Sequence, residues 1–187
     1  MATTADFRVG MVIRFNGELH RIEEYIHRTP GNLRAFVQAK MRNLKTGRVF
    51  ENRFRSGEEV EEVRVEQKEF QYLFREETTY HFMDKETYEQ IPVDEGILGE
   101  QAKFLKEGET VFLFIAENDI VGVEMPPNVE LKVIETVPGV KGDTATNVLK
   151  PATLETGAVV NVPLFVNEGD VIRVDTRTGK YIERVNS

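Results

Sequence analysis

The residues able to do chemistry are few and poorly placed for it. His20, His27 and His81 are scattered, with no His-x-x-x-His pair. Glu24 and His27 have Glu-x-x-His spacing, but they fall in an alternating segment that reads as strand. Residues three apart on a strand face opposite ways and cannot share a metal. Glu58, Glu59, Glu61 and Glu62 form a run of the kind that makes a solvated face. The two serines, Ser56 and Ser187, lack a nucleophile-elbow context, and no Walker loop or Gly-x-Gly-x-x-Gly occurs. Cysteine is absent, which removes disulfides, thiolate metal sites and cysteine nucleophiles. The loop "PGVKGDTATNV", 138–148, offers backbone donors to a phosphate, yet a plain surface loop is the more frequent explanation of such a stretch. A hydrolase would need two acids converging in a cleft, and no such pair is visible. The expectation is a protein that is not an enzyme and carries no metal or cofactor.

The elements around these residues read as strand, turn, strand. "VIRFNGELHRI" sets apolar sequence around Asn16-Gly17, the dipeptide suited to a type I′ turn. In "AFVQAKMRN", Ala35, Val37, Ala39 and Met41 point one way, and Phe36, Gln38, Lys40 and Arg42 the other. This predicts strands at 20–26 and 35–43 joined by a loop near 28–34, with Pro30-Gly31 setting its tip. Two short helices are expected, "DKETYEQI" with Asp84 as N-cap and "GEQAKFLKEG" stopped by Gly108. Boundaries are read at "SGEEVEEV", 56–63, and at Pro126-Pro127. The result is three all-β units, 1–64, 65–127 and 128–187, each a small barrel. The phrases "LKTGRVF", "LETGAVV" and "TRTGKYI" echo one another and predict shared turn chemistry. Phe70, Tyr72, Phe74, Phe112 and Phe114 are read as core.

Charge is unevenly spread. The chain is 187 residues long with a net charge of −8, yet 1–64 carries +3, 65–127 carries −10 and 128–187 carries −1. Residues 1–55 alone reach +6. A basic end on an acidic chain can approach nucleic acid in one orientation, with the acidic part repelled. Charge alone favours the plainer reading, a merely solvated surface. No apolar run reaches 18 residues, and the N-terminal "MATTADFRVG" has no secretory pattern, so a cytoplasmic protein without membrane contact is expected.

The stretch "KPATLETGAVVNVPLFVNEGDVIRVDTRTGKYIERV", 150–185, resembles the C-terminal signature of bacterial elongation factor P. Lys150, Ala152, Gly157, Val162, Pro163 and Gly169 match, with "GDT" just upstream. The likeness extends through "DFRVGMVI", "MRNLKTGRV" and "YLF". It implies a KOW/SH3-like barrel followed by two OB folds in an L-shaped, tRNA-like arrangement. It also implies a factor that binds the 70S ribosome between the peptidyl-tRNA and exit sites and relieves stalling at consecutive prolines. A third domain marks the bacterial branch, because the hypusine-bearing relatives lack it.

In the family the first-domain hairpin reads Pro-Gly-Lys-Gly and its tip approaches the CCA end of peptidyl-tRNA, initiator or prolyl. Here Pro30 and Gly31 match, while Asn32 stands at the lysine and Leu33 at the following glycine. Asn32 has neither amine nor guanidinium, so lysine extension and arginine rhamnosylation are both impossible there. Arg34 falls at a variable position. Asn32 is expected to hydrogen-bond the tRNA backbone, and Leu33 to stiffen the loop by packing. Arg28, Arg34, Lys40 and Arg42 are expected phosphate contacts. Gly142, Asp143 and Thr144 match a loop near the exit-site codon of the mRNA. The acidic middle, with Asp94 and Glu95, is expected to face ribosomal proteins, and the protein to be a monomer. The competing reading is a non-ribosomal acidic β-barrel adaptor that binds proteins.

Overall fold

The structure, a computed structural model, describes residues 1–139 and 148–185. It is all-β, in three sheets. The first has six strands, β1 Ala2–Thr3, β2 Val12–Phe15, β3 Glu18–Arg28, β4 Phe36–Asn43, β5 Val49–Arg55 and β6 Glu59–Glu62, in the order β1-β6-β2-β3-β4-β5. Asn16 and Gly17 both take positive φ, 51° and 80°, and Phe15 pairs with Glu18 across that turn. The glycine makes the second of these angles free of strain. On β4 the alternation is as expected, with Val37, Ala39 and Met41 buried and Phe36, Gln38, Lys40 and Arg42 half-buried. Met11, Ile13, Ile22, Ala39 and Met41 form the centre of this core, joined by Phe7 and Phe54. Burial of each of the larger side chains, Met11, Ile13, Ile22 and Met41, stabilises by roughly 1.5–3 kcal/mol.

The glutamates of the run at 58–62 are exposed, as a solvated face requires, yet the run is not a linker. It forms β6, with Val60 buried, Glu62 bonded to Arg8 at 2.5 Å and Glu61 to Arg14 at 3.4 Å. Alternation put Val60 inward, while Glu61 and Glu62 pair with arginines on neighbouring segments.

The second sheet contains β7 Glu66–Glu76, β8 Thr79–Asp84, β9 Gln90–Asp94, β10 Thr110–Ala116 and β11 Asp119–Glu124, ordered β11-β10-β7-β8-β9. Phe70, Tyr72, Tyr80 and Phe82 are buried within it. Phe74 and Phe112 are not core, being 42% and 41% exposed. A bulge between Tyr72 and Phe74 shifts the register, and Phe74 stacks on His81 at 4.3 Å. The expected helix at 84–91 is instead the β8–β9 hairpin turn. Asp84 Oδ1 accepts from the Glu86 and Thr87 amides, as an N-cap would, but Tyr88 turns to φ 61° and the chain pairs back onto β8. The second expected helix, 99–108, is only a short 3-10 turn, and an unexpected one-turn helix precedes it. The helix α1, Glu95–Leu98, ends at Gly99, and a 3-10 turn follows over Glu100–Phe104.

The third sheet is β12 Asn128–Thr136, β13 Leu149–Leu154, β14 Val159–Pro163, β15 Val171–Asp175 and β16 Tyr181–Val185, ordered β14-β13-β12-β15-β16. Leu131, Val133, Leu154, Val162, Ile172 and Val174 are fully buried in it. The chain divides into two compact units, Met1–Lys68 with Phe114–Gly122, and Glu69–Leu113 with Val123–Ser187. Within the first unit a second small core gathers Val12, Val63, Ala116 and Val121. Arg21 donates to the Val121 carbonyl there at 2.9 Å.

Candidate nucleic-acid interface

The β3–β4 hairpin is the longest in the first sheet, with β3 extending beyond the expected 26 to Arg28 and pairing it with Phe36. The loop is therefore 29–35. Pro30 accepts a hydrogen bond from the Leu33 amide at 2.9 Å, closing a turn over Gly31 and Asn32. Proline supplies a fixed φ, and Gly31 a positive one of 20°. Asn32 is exposed at the tip. Leu33 does not pack to stiffen the loop, because it is 73% exposed. What closes the loop is the backbone bond.

The predicted cations separate into two groups. Arg42 is bonded to Glu23 at 2.8 Å and to the Gly47 carbonyl at 3.1 Å, and Lys40 pairs with Glu24 at 3.7 Å. Burial pushes the Glu23 carboxyl up, but its bonds to Arg42 and Arg21 outweigh that and hold it below the usual range. Arg28 and Arg34 have no hydrogen-bond or ion-pair partner among the described residues. Gly142, Asp143 and Thr144 lie outside the described residues.

Two residues that sequence reasoning passed over complete this end of the hairpin. Arg55 lies opposite Phe36 on β5, and Arg53 places its guanidinium 4.1 Å from the centre of the Phe36 ring. Neither side chain has an ion-pair partner among the described residues. Pro30, Leu33, Arg34, Phe36, Arg53 and Arg55 line a shallow hollow of about 280 Å³. The signal was present in "VFENRFR", where Phe50 and Phe54 alternate with Arg53 and Arg55. Four guanidiniums at one end, uncompensated by carboxylates, suit phosphate groups, and a half-buried aromatic among them suits a base or sugar. Elsewhere in this unit Arg8, Arg14 and Arg21 are neutralised by glutamates.

The sheets define an all-β protein of the small-barrel class. It resembles the solved structure "Eukaryotic translation initiation factor 5A from Methanococcus jannaschii", with a TM-score of 0.51 and 19% identity over 66% of this chain and 92% of that one. That likeness concerns the fold. Three family descriptions match in succession, "Elongation factor P (EF-P) KOW-like domain" at 3–60, "Elongation factor P (EF-P) OB domain" at 65–123 and "Elongation factor P, C-terminal" at 129–184. Elongation factor P of Roseiflexus sp. (strain RS-1) is 58% identical over 99% of this chain and 100% of its own length. That of Chloroflexus aggregans is 56% identical over 98% of each.

The chain belongs to the elongation factor P family. It is a translation factor and not a classical enzyme. Among the described residues no helix is long and apolar enough to cross a membrane.

Proposed function

We propose that this protein acts in the cytoplasm, as a monomer, binding the 70S ribosome beside the peptidyl-tRNA. It stimulates peptide-bond formation and relieves stalling at consecutive prolines by holding the CCA end in a reactive position. The observation that carries this reading is the loop end of the β3–β4 hairpin, where Arg28, Arg34, Arg53 and Arg55 have no carboxylate partner among the described residues. Cations left unpaired in a chain of net charge −8 are available to phosphates. Asn32 stands exposed beyond them and supplies an uncharged amide to the tRNA end.

Such a protein need perform no chemistry. Orienting two reactants reduces the entropic part of a barrier, by about 7–11 kcal/mol in ideal intramolecular cases. The catalytic groups belong to the ribosome. The reading includes domains at 1–64, 65–127 and 128–187, supported by the three separate sheets. It also assigns Gly142, Asp143 and Thr144 to the exit-site codon and the acidic middle region to ribosomal proteins. The test is peptide-bond formation through a Pro-Pro-Pro codon run on purified ribosomes. It compares no factor, the unmodified protein and its Asn32→Ala variant. Acceleration by the unmodified protein, lost with Asn32→Ala, is the expected result. Failure of the protein to co-sediment with ribosomes would overturn the reading and favour an adaptor.

A further inference from the structure

Arg21 on β3 and Arg42 on β4 stand directly opposite one another. Like charges in that register are destabilising, and Glu23 lies between them. The pairing of β3 with β4 slips between Ile22 and Glu24, so Glu23 is the extra residue of a bulge, and bulges re-aim side chains. Its Oε1 atom accepts from Arg42 Nε at 2.8 Å and from Arg21 Nη2 at 3.2 Å. The other terminal nitrogen of Arg21, Nη1, donates to the Val121 carbonyl at 2.9 Å, and Arg42 Nη1 donates to the Gly47 carbonyl at 3.1 Å. One chain of bonds thus runs from β11 across both strands of the hairpin to the β4–β5 turn.

Val121 belongs to the tip of the β10–β11 hairpin, the part of the second sheet that lies within the first compact unit. Val12, Val63, Ala116 and Val121 already hold that tip by apolar burial, with Leu19 and Leu44 packed against them. Such burial is non-directional. It fixes contact and leaves angle free, whereas bonds from a planar guanidinium fix angle. The arginine is closely fitted, since a Cβ on Gly122 would stand 3.0 Å from Arg21 Nη1. Ion pairs add little net stability whether exposed or buried. Orientation is what this chain of bonds supplies.

Orientation matters because the hairpin is long. From Arg21 to Arg28, β3 spans about 23 Å at ~3.3 Å per residue, so a tilt of about 3° at the base moves the loop end by about 1 Å. Misplacing a reacting group by about 1 Å can cost a rate about 100-fold. The bulge and its bonds lie at the base, with Arg28 and Asn32 at the loop end. We infer that Arg21, held between Glu23 and Val121, is a positioning residue that sets the angle of the β3–β4 hairpin to the β10–β11 tip. It governs the rate of the step that the hairpin assists, and not the affinity for the ribosome. This rests on the function proposed above.

The test is peptide-bond formation through the Pro-Pro-Pro run, measured against factor concentration. It uses full-length wild type, Arg21→Met, Arg21→Lys and Gly122→Ala, with thermal unfolding of each. Arg21→Met keeps the aliphatic stem and loses both bonds. Its maximal rate is expected to fall about tenfold or more, while the concentration giving half of that maximum stays within about threefold of wild type. Arg21→Lys keeps the charge, but one nitrogen cannot bridge Glu23 and Val121, so its maximal rate also falls short of wild type. Gly122→Ala removes no group and presses a methyl onto the guanidinium. Its Tm is expected to stay within about 2 °C of wild type, and its maximal rate to fall about threefold. An unchanged maximal rate in either Arg21→Met or Gly122→Ala, or a loss that appears in the half-maximal concentration instead, overturns the inference and leaves the proposed function standing. Wild-type rate with Arg21→Lys overturns it too, because charge alone would then suffice. A wild-type protein that gives no acceleration removes both.

Discussion

Phe36 and Arg53 sit on adjacent strands, and the guanidinium of one lies over the ring of the other at 4.1 Å. The contact is diagonal, since the residue directly across from Phe36 is Arg55 and the one across from Arg53 is Gln38. The ring thus holds one arginine by its face while standing beside another. It positions charge at the loop end of the hairpin without neutralising it, which a carboxylate in the same place would have done.

Phe36→Ala and Arg53→Ala should therefore weaken ribosome binding in distinguishable ways. Losing Arg53 removes a phosphate contact, so the slope of log affinity against log salt falls by about one. Losing Phe36 removes the seat and leaves the charge, so affinity falls with the slope kept. Binding titrations at several salt concentrations read both. Identical slopes for wild type and Arg53→Ala would remove Arg53 from the interface.

Arg28 and Arg42 should separate binding from stability. Arg28→Ala loses no side-chain partner among the described residues and should change stability by less than about 0.5 kcal/mol while reducing ribosome affinity several-fold. Arg42→Ala loses its bonds to Glu23 and the Gly47 carbonyl. Arg42 is partly exposed, so the loss of stability should be modest, up to about 1 kcal/mol. Urea unfolding beside the binding assay checks the pair, and a reversed pattern would mean that Arg42 contacts the ribosome and Arg28 does not.

The pH dependence has an acid and an alkaline limb. Burial alone would raise the Glu23 carboxyl, but the Arg42 and Arg21 guanidiniums bring it below the ordinary value. Its stabilisation is present at neutral pH and is lost as pH falls through the folded value, below the usual carboxylate range near pH ~4. Burial of Tyr72 pushes its phenol up to about 12 from 10.0. That contribution is full below pH 10 and disappears as pH rises toward about 12. Glu23→Gln should flatten the acid limb and Tyr72→Phe the alkaline one in urea midpoints measured across pH.

Gly139→Ala should destabilise the second unit by about 1–3 kcal/mol. A Cβ there would stand 2.7 Å from the Leu164 carbonyl oxygen, which belongs to the backbone and cannot rotate aside. Unfolding of the variant at unchanged secondary structure, followed by circular dichroism in urea, gives the value.

The residues that misled are as informative as those that did not. Asp84 caps its neighbours' amides in the same way at a helix start and in a hairpin turn. The local bonds are alike, and pairing of Met83 with Gln90 decides for the turn. Two of the three echoing phrases, at 44–50 and 176–182, do share that turn, whereas Gly157 donates to Leu154 in a turn without the capping side chain.

By itself the sequence determined what short-range chemistry governs. Asn16-Gly17 makes a hairpin, "AFVQAKMRN" makes a strand with one buried face, and the 150–185 signature marks the elongation factor P family. The tertiary structure alone decided which arginines are free. Arg14 is occupied by Glu61 and Glu117, 47 and 103 residues away, and Arg21 by a carbonyl 100 residues away. Charge in a sequence is a count over neighbours in the chain. Neutralisation acts over a few ångströms of space, and only the folded sheets bring those distant carboxylates to some arginines, while among the described residues none reaches Arg28 or Arg34.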